Sequence, residues 1–145
     1  MNHSIVVAPL LAAVLSVVTG CGNGCGSIPF HDGENYFVRG DVADLPQFIC
    51  SPAERDSVLG MATTMWDGPT RIDFEKEVAI PVALPATNSS TDIHIVRVEA
   101  EADSLVVTCR VEVGDSMSYS IRPLAIAIVG KDDVAGARGV RVVME

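Results

Sequence analysis

The sequence predicts an α+β fold, a largely antiparallel β-sheet of about six or seven strands covered by one amphipathic helix. Three observations carry this expectation. Leu105, Val107, Cys109, Val111 and Val113 fall on one parity and Thr108, Arg110 and Glu112 on the other, the period of a half-buried strand. Ser51-Pro52-Ala53-Glu54 has the chemistry of a helix start: a hydroxyl at the cap, proline at the first helical position and a carboxylate three residues after the cap. Leu124-Ala125-Ile126-Ala127-Ile128-Val129 is apolar on both parities, which suits a central strand covered on both faces. A chain of 145 residues without a composition break is enough for one such domain, placed here over residues 30–145.

Ahead of it, Ile5 to Val18 is an apolar run interrupted by Pro9 and Ser16. It is too short for the roughly 20 residues of a spanning helix and suits the apolar region of a signal peptide, residues 1–20. The run ends in Val18-Thr19-Gly20-Cys21, which resembles a bacterial lipobox with Cys21 as the lipidated residue. Acyl chains buried at about 0.8 kcal/mol per CH₂ would anchor the chain without a basic patch. Because Met1-Asn2-His3-Ser4 has no Lys or Arg, cleavage by an ordinary signal peptidase and a different start codon are the competing readings. Residues 21–29 read as a glycine-rich tether. With Cys21 lipidated, Cys25, Cys50 and Cys109 remain; export permits a disulfide, for which Cys25 with Cys50 is expected and Cys50 with Cys109 is the competing pair.

Along the domain, His31-Asp32-Gly33-Glu34-Asn35 is a polar turn before a strand from Tyr36 to Val42. Its spacing matches neither a calcium loop nor a zinc histidine pair, so a solvated turn is expected and no metal. The helix opened by Ser51 carries Val58, Leu59, Ala62, Met65 and Trp66 on one face and ends at Asp67-Gly68-Pro69, so Trp66 is expected in the core. In the next strand, Val78 to Leu84, Pro81 demands a sheet edge or a bulge. Thr87 to Asp92 reads as a turn cluster, followed by a hairpin of Ile93 to Ala100 with Leu105 to Val113. Its first strand changes parity near Ile95-Val96, the signature of a bulge. Gly114-Asp115-Ser116 reads as a strand break, Ser118 to Ile121 as a weak strand or loop, and Val140 to Val143 as the last strand.

Charge and motif content narrow the function by exclusion. Ten Lys and Arg against 19 Asp and Glu, none of them in residues 1–20, give a formal charge of −9 that repels nucleic acid and anionic headgroups. Attachment to a membrane would then be through the lipid. No Gly-x-Ser-x-Gly elbow, Walker loop or His-Glu-x-x-His pair occurs. His31 and His94 are the histidines of the domain, and His94 sits within a strand pattern. No catalytic set or cofactor site follows, and a non-enzyme is expected.

Several segments taken together resemble the PrcB-type domain of bacterial protease-complex lipoproteins. They are Met65-Trp66, Arg71-Ile72-Asp73-Phe74-Glu75-Lys76-Glu77-Val78, Ile95-Val96-Arg97-Val98, Leu105-Val106-Val107-Thr108, and Arg122-Pro123-Leu124 through Gly130-Lys131. The resemblance covers about Val58 to Val143. Asn88-Ser89-Ser90 stands where that family has a Gly-Gly-Tyr turn, Leu124 where it has Tyr after proline, Gly130 where it has Pro before lysine, and Gly114-Asp115-Ser116 where it has a Pro-Gly-rich loop. The resemblance implies an exported, non-catalytic accessory protein that stabilises a cell-surface protease complex. Asn88, Ser89, Ser90, Asp115 and Ser116, read as turns free of core duty, are the expected partner contacts. The alternatives are a small-ligand-binding or enzymatic envelope protein using His31 to Asn35 with His94, and a protease inhibitor presenting one of the two turns.

Overall fold

The computed structural model describes residues 26–145, so Cys21, Cys25 and the apolar run before them lie outside the described residues. In chain order the strands are β1 (Gly26–Ile28), β2 (Phe30–Asp32), β3 (Tyr36–Val38), β4 (Leu59–Met61), β5 (Glu77–Ala83), β6 (Thr87–Glu101), β7 (Ser104–Ile121), β8 (Leu124–Gly130) and β9 (Gly139–Met144). The helix α1 (Pro52–Val58) precedes β4, and a 3₁₀ turn (Asp132–Val134) precedes β9. The fold is α+β with antiparallel sheets, as the sequence predicts; β7 with β9 is the parallel exception. Among the described residues the strands number nine, and they form a four-stranded sheet β1-β6-β7-β9, a three-stranded sheet β2-β8-β5 and the pair β3-β4. The expected tether ends earlier than residue 29, because Gly26–Ile28 pairs with Val98–Ala100 of β6.

The two larger sheets face each other. Val98, Leu105, Val107 and Cys109 from one meet Ile80, Ala127 and Val129 from the other in the main core. Residues of opposite parity on the three-stranded sheet, Ala79, Ile126 and Ile128, are covered by Ile49, Leu59 and Ile72 in a second cluster. Strand β8 is therefore central and buried on both faces, as its unbroken apolar run requires. Pro81 lies on β5 at the edge of its sheet. Ala79, two residues earlier, exchanges backbone bonds with Ile49 at 2.8 and 3.0 Å, so this parity turns its N–H groups away from β8 and the proline costs no ladder bond. The bulge in β6 is present: Ile95 pairs with Cys109 and Arg97 with Thr108, leaving Val96 as the extra residue.

The cover of the hairpin is the correction. A sheet, not the helix, packs on its apolar face, and α1 ends at Val58 instead of running to Trp66. Seven residues make a marginal helix, and Gly60 is about 1 kcal/mol worse than alanine as a helix residue. Leu59–Met61 pairs instead with Tyr36–Val38, which buries Leu59 in the second cluster and lays the Phe37 ring over Gly60. Met65 and Trp66 end on an outer loop, each 86% exposed, so Trp66 has no part in the core.

The start of α1 is as the sequence predicts. Ser51 Oγ accepts from Glu54 N–H at 3.1 Å, while the Glu54 carboxylate accepts from Cys50 N–H at 2.8 Å, closing the capping box one residue earlier than usual. Ser51→Ala is expected to lower the unfolding free energy by about 0.5–2 kcal/mol in urea titrations.

Cys109 is fully buried between the sheets and Cys50 is exposed, so the competing pair Cys50 with Cys109 does not form. The other expected pair involves Cys25, outside the described residues. Burial pushes the Cys109 thiol above the ordinary thiol range. The neutral form is thus favoured in the folded state; Cys109 costs no stability below the ordinary thiol range and some above it, where the unfolded chain ionises first. After reduction, iodoacetamide is expected to label Cys50 in the native protein and Cys109 only on unfolding, as read by peptide mass spectrometry.

Candidate functional site

The two segments expected as separate turns are strand, and they face one another. Thr87 to Asp92 lies in β6 and Gly114 to Ser116 in β7, with Ser89 opposite Ser116 and Thr91 opposite Val113. Hydroxyl-rich sequence read as a turn becomes strand here because the partner strand supplies the backbone bonds. The irregularities fall where the turn signals were: the register shifts between Thr87 and Ser89 and again between Ser89 and Thr91. Local side chains fill the gaps, since Ser89 N–H donates to Thr87 Oγ1 at 3.2 Å and Thr91 Oγ1 to the Ser89 carbonyl at 3.0 Å. Gly114 allows the close approach, because a Cβ there would lie 3.3 Å from the Ser90 carbonyl oxygen.

This pairing makes a two-stranded ribbon with two unlike halves. Toward the Glu101–Ser104 turn, β1 flanks β6 over Val98–Ala100 and β9 flanks β7 over Ser104–Cys109. In the other half, Thr87 to Ile95 with Arg110 to Ile121, neither strand has a further neighbour among the described residues. Its backbone edges are therefore open on both sides, a template for an added strand. Val113 and Tyr119 are 69% and 62% exposed there, against the expectation of a buried Val113. Asn88, Ser90, Ser116 and Ser118 of the same half are exposed as well. A rigid tyrosine among small hydroxyl and amide groups is the composition of an adaptable protein-binding surface.

A second feature was hinted at by the alternative reading. Asp32, Glu34, Asn35 and Tyr36 line a cleft of about 290 Å³ together with His94 of β6 and an apolar floor that includes Ile93, Ile95 and Ile126. Asn35 adopts φ 63° and its amide donates to the Gly68 carbonyl at 2.8 Å, fixing the wall to the Trp66 loop. Tyr36 donates its hydroxyl to the Thr70 carbonyl, and burial pushes its pKa above the usual tyrosine range, making it a weaker acid. The cleft thus collects His94 but not His31, whose Nε2 lies 2.8 Å from Glu77 Oε2 across β8. His94 Nε2 is 3.9 Å from Glu112, both exposed. No nucleophile sits between a base and an orienting acid here, and among the described residues no group of three or more His, Cys, Asp or Glu is placed to hold a metal.

The opposite, outer face of the four-stranded sheet is closed by charge. Arg97 lies 3.4 Å from Glu99, Arg110 3.0 Å from Glu145 and Arg141 3.1 Å from Glu101. The pairs share that face with buried Val106 and Thr108, so their aliphatic stems matter more than their charges, which at the surface contribute about 0–1 kcal/mol a pair.

The ribbon was not legible because each half of it resembled a local turn; its only sequence signal was the continued alternation from Val111 through Val113 to Met117 and Tyr119. Comparison of the chain with protein-family models, with curated proteins and with solved structures finds no match.

Proposed function

We propose that this chain is a non-catalytic exported lipoprotein that binds and stabilises another envelope protein, a cell-surface protease complex being the candidate partner. The observation that carries the reading is the open half of the β6-β7 ribbon, with unpaired backbone on both sides and Val113 and Tyr119 exposed upon it. An extended segment of the partner would add to one edge by main-chain hydrogen bonds, and side chains on the ribbon face would select it. The resemblance to PrcB-type domains supports a protease complex as the partner, and the lipobox ending in Cys21 supports membrane attachment in the cell envelope. The charge of −9 argues against nucleic acid or anionic lipid as what is bound.

Crosslinking in the native envelope followed by affinity recovery of this chain is the test. A specific exported protein should be enriched; recovery of nothing above background would count decisively against the reading. Fractionation of a Cys21→Ala variant separates the anchor from the binding, and protein that stays membrane-bound as before would remove the lipid.

The cleft favours a second reading, small-ligand binding, because it gathers two carboxylates, an amide, a phenol and an imidazole around an apolar floor. His94→Ala leaving every assayed ligand unaffected would remove it. The inhibitor reading is weaker, since neither Asn88-Ser89-Ser90 nor Gly114-Asp115-Ser116 is a projecting loop.

A further inference from the structure

Strand β9 forms an outer edge of the four-stranded sheet, and its far side has no neighbouring strand among the described residues. Glu145 N–H donates to the Cys109 carbonyl at 2.8 Å, so residues of that parity, Arg141 and Val143, turn their backbone groups toward β7. Val140, Val142 and Met144 turn theirs outward, and Val140 N–H accordingly donates to Gln47 Oε1 at 3.3 Å. The backbone groups of Val142 and Met144 therefore form an unpaired edge. Gly139–Met144 carries a single charge and no proline, and the Gln47 side chain covers it only at Val140, so at Val142 and Met144 it lacks the proline and charge that usually blunt such edges. Val142 and Met144 are also 40% and 47% exposed on the side facing the other sheet, beside a cleft of about 320 Å³ shared with Pro81 and Val82 of β5 and rimmed by Asp44, Leu45 and Arg122.

We propose that this edge pairs with the same edge of a second copy of the chain, antiparallel and two-fold about Val142, so that the two four-stranded sheets become continuous. In that register Val142 faces Val142 of the second copy and Val140 faces Met144 of the second copy. Val142 can exchange both backbone hydrogen bonds with its counterpart, and each Val140–Met144 pair makes one with the Met144 N–H as donor, because Gln47 Oε1 already holds the Val140 N–H. The strand residues on the core-facing side of the seam are then all apolar: Val140, Val142 and Met144 from each copy. On the outer side Glu145 of one copy lies diagonal to Arg141 of the other, a favourable cross-strand neighbour of opposite charge. The core-facing side is thus complementary to itself in this register, as a two-fold interface requires, while on the outer side the two Arg141 side chains also lie diagonal to each other and are balanced by Glu145 of the other copy and by Glu101 of their own. The ribbon edges lack this property, since Asp92 and Asp115 have no cationic counterpart across such an axis.

Sedimentation equilibrium of the full chain in density-matched detergent tests the pairing. A protein mass of twice the chain is expected, falling toward one chain on dilution. Val142→Pro removes two of the seam's hydrogen bonds, and Met144→Lys puts a charge into its apolar side. Each should weaken association by more than about tenfold with an unchanged far-ultraviolet circular dichroism spectrum. Arg141→Glu should weaken it too, and adding Glu145→Arg should restore it, because the swap rebuilds both diagonal pairs. Should Val142→Pro fail to fold, Met144→Lys and the charge swap, which change exposed side chains, decide the matter. A single-chain mass at every concentration, or a dimer indifferent to these substitutions, would overturn the proposal. So would a dimer lost only on changing Val113 in the ribbon.

Discussion

Ile128→Ala should lower the unfolding free energy by about 2–5 kcal/mol. Ile128 is fully buried at the centre of β8, flanked by β2 and β5 and packed beneath Ile49, Leu59 and Ile72. Three elements hold the cavity open from different directions, so it cannot collapse cheaply. Urea titration reads the loss as a lower midpoint at unchanged slope. Trp66→Ala is the informative contrast. Removing the largest side chain in the protein should change stability by less than about 0.5 kcal/mol, because Trp66 is 86% exposed. A loss of several kcal/mol at Trp66 would return that residue to the core and overturn the layer arrangement.

Val113→Pro should abolish partner recovery in the crosslinking experiment while leaving the fold intact. The parity of Cys109, whose carbonyl accepts from Glu145 N–H on the β9 side, places the Val113 N–H away from β6, on the open edge of the ribbon. Proline there removes no β6-β7 bond, yet it takes away one edge donor and obstructs an incoming strand. Since one lost main-chain bond and the steric block act together, a fall of at least about tenfold in recovered partner is expected. Tyr119→Ala should give a smaller fall through lost side-chain contact. Recovery unchanged in both variants would show that the ribbon is not the binding surface, whatever the partner.

The places where sequence and structure agree are those where a local rule has only one solution. Pro81 needed an edge or a bulge and lies at an edge, Ile95-Val96 needed a bulge, and the unbroken apolar run of β8 needed cover on both faces. Ser51 needed a helix to cap, and it caps one. Where they differ, two local solutions competed and distant residues chose. The spacing of Val58, Leu59, Ala62, Met65 and Trp66 suits a helix, but pairing with Tyr36–Val38 takes Leu59–Met61 as strand and leaves Trp66 outside. Asn88-Ser89-Ser90 and Gly114-Asp115-Ser116 suit turns, but each is the other's strand partner.

By itself, then, the sequence determined the α+β class, the antiparallel pattern, the acidic charge and the absence of a recognisable catalytic motif, because periodicity, capping chemistry and composition are properties of neighbouring residues. Only the tertiary structure decided that a second sheet covers the hairpin, that Cys109 and Cys50 lie apart, and that two supposed turns join into one ribbon with open edges. Those outcomes depend on contacts between segments far apart in the chain, and the hydrogen bonds of a strand are satisfied by a partner that its own residues do not name.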